Sequence, residues 1–208
     1  MKQHKLILVA LVLSMLAACS TSVVVTGNIP APLVERLPLT AKLNLTEEFL
    51  NYTYLEENEK RPITSLDFGA AQSTMFREVF SSRFTLLPDQ STDADLVITP
   101  EMLRVQYSAP RETKLNLYQI TLRYRVTIKD RADKVVADWV INGIGKTPTA
   151  RLTSASSAFN LATNIALRDI GAQITIGLPE QSAIQKLVEQ KQQPLVTPTP
   201  STIEPEQG

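Results

Sequence analysis

Residues 120–144, ITLRYRVTIKDRADKVVADWVINGI, carry the clearest structural pattern in this sequence. From Ile120 to Ile128 apolar residues alternate with polar ones, which is typical of a β-strand with one buried face. The polar residues 130–133 predict a turn, and a second alternating segment starts at Val135. Two such strands joined by a short polar turn predict a β-hairpin.

Two longer segments have apolar residues at helical spacing and predict helices over residues 67–84 and 154–176. We expect Asp67 to cap the first helix and Ser154 or Thr153 to cap the second. Such side chains accept hydrogen bonds from the free N–H groups of the first helical turn.

Further strands are predicted on both sides of the first helix. Alternation over residues 36–54 predicts strand structure, interrupted by a bulge or a short break near Glu47. The charged residues 56–61 predict a turn. Residues 96–107 form the next predicted strand, in which Pro100 favours an edge position or a bulge because proline cannot donate to the ladder.

The predicted order is strand, helix, three strands, helix, followed by a short helix over residues 180–191. This order predicts an α+β fold, a two-layer sandwich in which an antiparallel sheet of about four strands packs on two helices. The domain spans residues 36–191. Residues 19–35 are predicted to tether it, and the Pro- and Gln-rich residues 192–208 are predicted to be a disordered tail.

The N-terminal residues predict export from the cytoplasm. Two lysines precede an apolar run over residues 6–16, and two alanines follow it. A charged start, a short apolar stretch and small residues before the cut site are the pattern of a signal peptide, so residues 1–18 are predicted to be removed. The run is shorter than the roughly 20 residues that a permanent membrane-spanning helix needs.

Residues 16–19, Leu-Ala-Ala-Cys, resemble the bacterial lipobox. The resemblance implies cleavage before Cys19, diacylglycerol on its sulfur and an acyl group on its amino group. More than one acyl chain is what stable membrane anchoring requires. The alternative is an ordinary secreted protein with a cysteine at this position. In the enterobacterial sorting pattern of such lipoproteins, Asp directly after the lipidated cysteine retains the protein on the inner membrane. Ser20 occupies this position and therefore implies the periplasmic face of the outer membrane.

Composition excludes several kinds of site. The one histidine, His4, leaves with the signal peptide, and the one cysteine, Cys19, becomes the anchor. The mature chain then lacks a Ser-His or Cys-His pair and the usual zinc ligands, so we expect no enzyme activity, no cofactor and no metal. Without the two lysines of the signal peptide, 19 Lys and Arg face 21 Asp and Glu, and this net charge of −2 predicts no nucleic-acid partner.

Acidic clusters leave one catalytic alternative open. A glycan hydrolase needs two carboxyl groups on opposite sides of the scissile bond. The residues that would supply them are Glu47, Glu48, Glu56, Glu57 and Glu59. Neighbouring carboxylates at a strand end or a turn are more often solvated charges.

A basic row lies on the predicted outer face of the first hairpin strand, at Arg123, Arg125 and Lys129. It is either the solvent face of a half-exposed strand, which we favour, or a docking surface for an anionic partner such as lipopolysaccharide or an acidic protein.

Four aromatic residues are candidates for the lining of a ligand groove. Aromatic residues at alternating strand positions more commonly belong to the core. They are Tyr107, Tyr118, Tyr124 and Trp139.

The lipobox and the element order together are similar to those of small outer-membrane lipoproteins of Gram-negative bacteria, among them YajG-like lipoproteins and auxiliary lipoproteins of envelope transport systems such as LptE. This resemblance implies a non-enzymatic periplasmic module that docks on an envelope protein complex or carries an amphiphilic ligand. A structural or surface lipoprotein without a transport role is the second hypothesis, and the glycan hydrolase is the third. Cys19 is the one residue to which the resemblance gives a role.

Overall fold

The structure, a computed structural model, describes residues 21–27, 29–58, 61–148 and 154–193. The strands in this part are β1 (Thr21–Val24), β2 (Thr40–Leu43), β3 (Thr53–Asn58), β4 (Arg61–Asp67), β5 (Thr85–Leu86), β6 (Leu96–Ser108), β7 (Leu117–Asp130) and β8 (Val135–Pro148). The helices are α1 (Glu47–Leu50), α2 (Gly69–Arg83), α3 (Ala155–Gly177) and α4 (Ser182–Gln192), and a 3-10 turn spans Pro110–Glu112.

Five strands form the main sheet in the order β5-β2-β6-β7-β8. The predicted hairpin is confirmed as β7 and β8, which pair antiparallel with Tyr124 opposite Ile141. In its turn the Asp130 carboxylate accepts hydrogen bonds from the backbone N–H groups of Ala132 and Lys134, at 2.8 and 3.0 Å. The α+β sandwich class predicted from this hairpin and the flanking helices is confirmed.

A second, three-stranded sheet has the order β1-β4-β3. β1 runs parallel to β4 with Thr21 opposite Thr64, and β3 runs antiparallel to β4. Val23 and Val25 are buried in the core. These residues belong to the segment 19–35 for which a tether was expected, so in the structure the chain packs on the domain from β1 onward.

The long helices occur where their caps and periodicity predict them. Ser154 is confirmed as the N-cap of α3, since its hydroxyl accepts a hydrogen bond from Ser157 N at 3.1 Å. The predicted cap of α2, Asp67, is one residue too early because Phe68 occupies the N-cap position. The Asp67 carboxylate still accepts a hydrogen bond from Gly69 N at 3.1 Å.

Helix α3 packs against β8 at very short range. A Cβ atom placed on Gly145 would lie 1.7 Å from the carbonyl oxygen of Ala162, and one on Gly143 would lie 2.3 Å from that of Ala166. Glycine at both positions therefore lets the helix backbone reach the strand backbone. Between the sheet and the helices lies a core that includes the edge-to-face rings of Phe76 and Tyr124, 5.2 Å apart.

The number and direction of the strands differ from the prediction. The described residues form eight strands rather than about four, and β2 runs parallel to both β5 and β6 rather than antiparallel. The segment of residues 56–61, for which a turn was expected, extends into β3 on one side and β4 on the other. Parallel neighbours far apart in sequence leave no local pattern, which is why alternation alone did not identify them.

Of the two predicted irregularities, the interruption near Glu47 is confirmed as a short break rather than a bulge. Helix α1 lies there between β2 and β3, because the Thr46 hydroxyl accepts a hydrogen bond from Phe49 N at 3.2 Å and caps a helical turn. In β6 the register shift falls between Met102 and Arg104 rather than at Pro100. Pro100 itself lies beyond the three residues that β2 pairs with, so its missing N–H breaks no bond to β2.

Candidate functional site

The predicted lipidation site, Cys19, lies outside the described residues, as do Ser20 and the predicted signal peptide. What the structure adds is the position of the first residue that it describes after Cys19. β1 begins at Thr21, and Val23 is buried with 4% of its surface exposed. A lipid on Cys19 would therefore be separated from β1 by a single residue, and the domain would be held close to the membrane surface.

An apolar groove lies along the C-terminal half of α3. One wall is the extended segment of residues 29–34 and the other is the face of α3 that includes Gly171 and Ile176, with Val79 of α2 also lining it. The groove has a volume of about 370 Å³. Leu33 is fully exposed at its edge and Ile176 is 66% exposed. Contiguous exposed apolar surface of this kind marks interaction sites in soluble domains.

Nothing in the sequence alone identified this groove. The segment Ile29–Val34 alternates apolar residues with prolines, a composition that we interpreted as a tether. Ile29 is buried in the core cluster while Leu33 is exposed, so the segment packs through some of its side chains and presents others to solvent. The useful signal is the density of apolar residues, Ile29, Leu33 and Val34, in a stretch that a flexible linker would fill with polar ones.

The predicted basic row on β7 is exposed but largely paired. Arg125 lies 3.8 Å from Glu101 and 3.6 Å from Asp138, and Lys129 lies 2.9 Å from Asp133. Exposed pairs of this kind contribute little to stability, but they neutralise the charge that an anionic partner would use. Arg123 lies opposite Arg104 of β6, so its exposed basic neighbour comes from another strand rather than from the predicted row.

The candidate catalytic carboxylates do not form one cluster among the described side chains. Glu47 and Glu48 begin α1, Glu56 lies on β3, and the side chains of Glu57 and Glu59 lie outside the described residues. Glu48 lines a cavity of about 250 Å³ together with Tyr52 and with Glu101, a residue that the sequence did not suggest. Burial, and then the negative charge of Glu48, raise the pKa of the Tyr52 phenol.

The predicted aromatic positions belong to the core rather than to a groove. Tyr124 is completely buried, and its hydroxyl donates to the side-chain oxygen of Gln72 at 2.9 Å. The Gln72 amide in turn donates to the carbonyl oxygen of Phe49, which fixes α1 on the core. Burial of Tyr124, together with the charge of Tyr52, raises its pKa well above the ordinary value. Tyr107 and Tyr118 both pack on Phe159, and Trp139 is partly buried against the core.

A cluster of charged side chains around Asp95 joins α4 to the main sheet. The Asp95 carboxylate accepts hydrogen bonds from the backbone and the hydroxyl of Thr40, each at 2.9 Å, and from Lys191 of α4 at 2.9 Å. Arg131 lies 3.1 Å from the same carboxylate. Burial by itself raises the pKa of Asp95, but the hydrogen bonds from Thr40 and Lys191 outweigh it and leave the pKa below its usual value.

Among the residues that the structure describes, no group of three or more His, Cys, Asp or Glu side chains is placed to hold a metal ion. None of the helices in the described ranges is long and apolar enough to cross a membrane.

No protein-family model and no curated protein matches this sequence. By structure, the chain is similar to a Xanthomonas campestris protein described as family DUF330, with a TM-score of 0.56 at 10% identity, covering 81% of this chain and 99% of that one. This similarity shows a shared fold.

Two further solved structures are similar at lower scores. A minor lipoprotein from Acinetobacter baumannii has a TM-score of 0.45 at 15% identity, covering 68% of this chain and 92% of that one. A lipoprotein from Neisseria meningitidis has a TM-score of 0.32 at 9% identity, covering 61% and 94% respectively.

Proposed function

We propose that this chain is a non-enzymatic lipoprotein of the Gram-negative cell envelope, anchored through Cys19 to the periplasmic face of the outer membrane, and that it serves a larger envelope complex as a binding or assembly module. The observation that carries the proposal is the apolar groove between residues 29–34 and α3, with its fully exposed Leu33. An apolar surface left open in a secreted domain is stabilised when a partner covers it.

The occupant that we propose is an apolar segment of an envelope protein, such as a component of a transport system. Covering Leu33 and Ile176 would remove two exposed aliphatic side chains from water, each worth about 1.5–3 kcal/mol when fully buried. The groove runs between the extended residues 29–34 and helix α3, which gives a peptide room to lie along it. An amphiphilic small molecule in the same groove is the other occupant that the test distinguishes.

The test compares two substitutions on the same helix. Ile176→Gln changes a residue that lines the groove, and Leu161→Gln changes an equally aliphatic residue of α3 that is 45% exposed and does not line the groove. Each full-length variant is purified from detergent-solubilised membranes, and the proteins and lipids that co-purify are identified by mass spectrometry. We expect that an envelope protein co-purifies with the parent and with Leu161→Gln but not with Ile176→Gln.

Other outcomes separate the remaining hypotheses. Loss of a lipid rather than of a protein with Ile176→Gln would favour the amphiphilic ligand. If Ile176→Gln loses neither a co-purifying protein nor a lipid, the groove is not a binding site. A structural or surface lipoprotein then becomes the better hypothesis.

The glycan-hydrolase alternative has one observation in its favour, the cavity that Glu48 and Glu101 share. Hydrolysis would require one of these carboxyl groups as general acid and the other as base or nucleophile. We expect no cleavage of purified cell-wall glycan by the parent protein. Activity that disappears in both Glu48→Gln and Glu101→Gln, while Glu47→Gln retains it, would overturn this expectation and the non-enzymatic proposal.

A further inference from the structure

The start of β1 defines one end of the domain. Thr21 lies opposite Thr64 of β4, which in turn lies opposite Glu56 of β3. Val23 is level with Leu66 by the same register. Cys19 lies two residues before Thr21 in the sequence, so a lipid on it would hold this end of the domain within roughly 7 Å of the membrane at about 3.3 Å per residue. We call this side, where β1 begins and β3 ends, the β1 end.

The β6–β7 loop lies at the same end. Phe49 and Tyr52, which precede β3, line a cavity together with residues 99–102 of β6. Further along, the ring of Tyr54 lies 6.4 Å from that of Tyr107. β3 and β6 therefore run in the same direction. Because β3 ends at the β1 end, β6 also ends there, and the loop that follows Ser108 lies beside it.

Hydrogen bonds within this loop close it on itself. The Thr113 hydroxyl accepts from Leu117 N at 2.8 Å and lies 2.9 Å from Leu117 O, which closes the loop on itself. The Glu112 carboxylate accepts from Ala109 N at 3.0 Å. Asn116 has a φ of 57°, a left-handed conformation that turns the chain back toward β7.

The closed loop exposes one apolar side chain and two basic ones. Leu115 is 76% exposed, and Arg111 and Lys114 are exposed beside it. The Glu112 carboxylate already accepts a backbone hydrogen bond within the loop. At the surface of an anionic bilayer an exposed leucine can leave water while neighbouring cations meet lipid phosphate, so this combination of side chains suits such a surface.

We infer that the β6–β7 loop contacts the lipid surface to which Cys19 is attached, with Leu115 inserted at the level of the headgroups and with Arg111 and Lys114 on the anionic phosphates. The inference rests on the proposed lipid anchor at Cys19. It fixes the orientation of the domain, because two points at one end, the anchor and the loop, then touch the membrane. The apolar groove, which lies along the C-terminal half of α3, stays away from the lipid and open to a partner.

The experiment uses the full-length protein with one added cysteine. Cys19 is the one native cysteine, and acylation blocks its thiol, so Leu115→Cys and Leu33→Cys each carry a single reactive thiol. Leu33 is the matched control, since it is fully exposed but lies at the groove. Both variants are labelled with an environment-sensitive fluorophore and compared in detergent and in vesicles of phosphatidylethanolamine and phosphatidylglycerol.

We expect the label at position 115 to shift its emission to shorter wavelength in the vesicles and to lose access to aqueous iodide, while the label at position 33 changes in neither respect. The paired charge reversal Arg111→Glu with Lys114→Glu should reduce the shift at position 115. Equal behaviour of the two labels, both remaining in water, overturns the inference and leaves the anchor intact. Labelling of the parent protein, by contrast, shows a free thiol at Cys19 and overturns the anchor and this inference together.

Discussion

At the scale of single residues, Gly143 and Gly145 determine how closely α3 approaches the sheet. The atoms that a Cβ on Gly145 would meet belong to the helix backbone, the carbonyl group of Ala162, and a backbone cannot move aside as a flexible side chain can. The side chains of α3 also occupy the free edge of β8. Asp169 accepts a hydrogen bond from Ile144 N at 3.1 Å, and Gln173 donates to Asn142 O at 2.8 Å. The close approach thus shields an edge strand from pairing with another chain.

Gly145→Ala is therefore expected to destabilise the domain. The methyl group must displace α3 from β8, and overpacking of this kind costs about 1–3 kcal/mol of unfolding free energy. The measurement is urea unfolding followed by circular dichroism. Gly177→Ala is the control, because no atom lies within 4 Å of its added Cβ and alanine favours a helix. Equal midpoints for Gly145→Ala and the parent would contradict the close contact.

At the scale of elements, the Asp95 carboxylate provides a polar attachment of α4 to the sheet. The apolar side of α4 packs through Ile184, which is completely buried. Near its C-terminus, Lys191 donates to Asp95, whose side chain is only 12% exposed. The same carboxylate also accepts hydrogen bonds from Thr40 at the start of β2 and contacts Arg131 in the hairpin turn. One residue thus joins three elements that are distant in sequence.

Replacement of Asp95 by Asn should weaken this attachment in a pH-dependent way. Hydrogen bonds to charged groups contribute about 1.5–3 kcal/mol, so we expect Asp95→Asn to lower the unfolding free energy by about 2 kcal/mol near pH 7. The folded-state pKa of Asp95 is lowered, so its contribution is present above the pKa of the unfolded chain and is lost as the pH falls through the folded-state pKa. The difference between parent and variant should therefore shrink below about pH 4, the usual carboxyl range.

The control for Asp95 is Asp133→Asn, which removes the exposed pair with Lys129. Its side chain is 83% exposed, so the change should be within about 1 kcal/mol at any pH. Asparagine also tolerates the left-handed φ of 60° at this position, which keeps the backbone unchanged. A difference between parent and Asp95→Asn that stays constant down to pH 2 would show that the carboxylate charge is not what holds α4.

The sequence predicted those elements whose signals are local. α3 has its cap at Ser154 and an apolar stripe within one segment, and the β7–β8 hairpin has two alternating strands around one turn, so each could be recognised from neighbours in the chain. β1 could not be assigned to the domain in this way, because its partner β4 begins 40 residues later and the pairing is parallel. The groove could not be predicted for the same reason, because its two walls, residues 29–34 and α3, are far apart in the sequence.

At the scale of the whole molecule, the distance between the proposed anchor, Cys19, and the domain determines how far the domain can lie from the membrane. A tether of residues 20–36 would have allowed a reach on the order of 50 Å at about 3.3 Å per residue. In the structure β1 begins at Thr21, so only Ser20 lies between β1 and Cys19 in the sequence. If Cys19 is lipidated as we propose, this short connection holds the β1 end of the domain beside the membrane, while the groove along the C-terminal half of α3 stays away from the lipid. The position of the lipid would then determine from which side a partner reaches the groove.

Cys19→Ser tests the anchor on which this geometry depends. A serine hydroxyl does not form the thioether to diacylglycerol, so we expect the variant to remain as an uncleaved precursor or to appear as a soluble periplasmic protein. The measurement is fractionation of cells that express the full-length chain, with mass spectrometry of the N-terminus, and a Ser20→Thr variant serves as the control that retains the lipobox. Acyl chains bound to the mature parent, and their absence from Cys19→Ser, are the expected result. A Cys19→Ser variant that still fractionates as a mature membrane lipoprotein would instead mean that something other than Cys19 holds the domain at the membrane. In that case β1 would no longer define the end that faces the lipid.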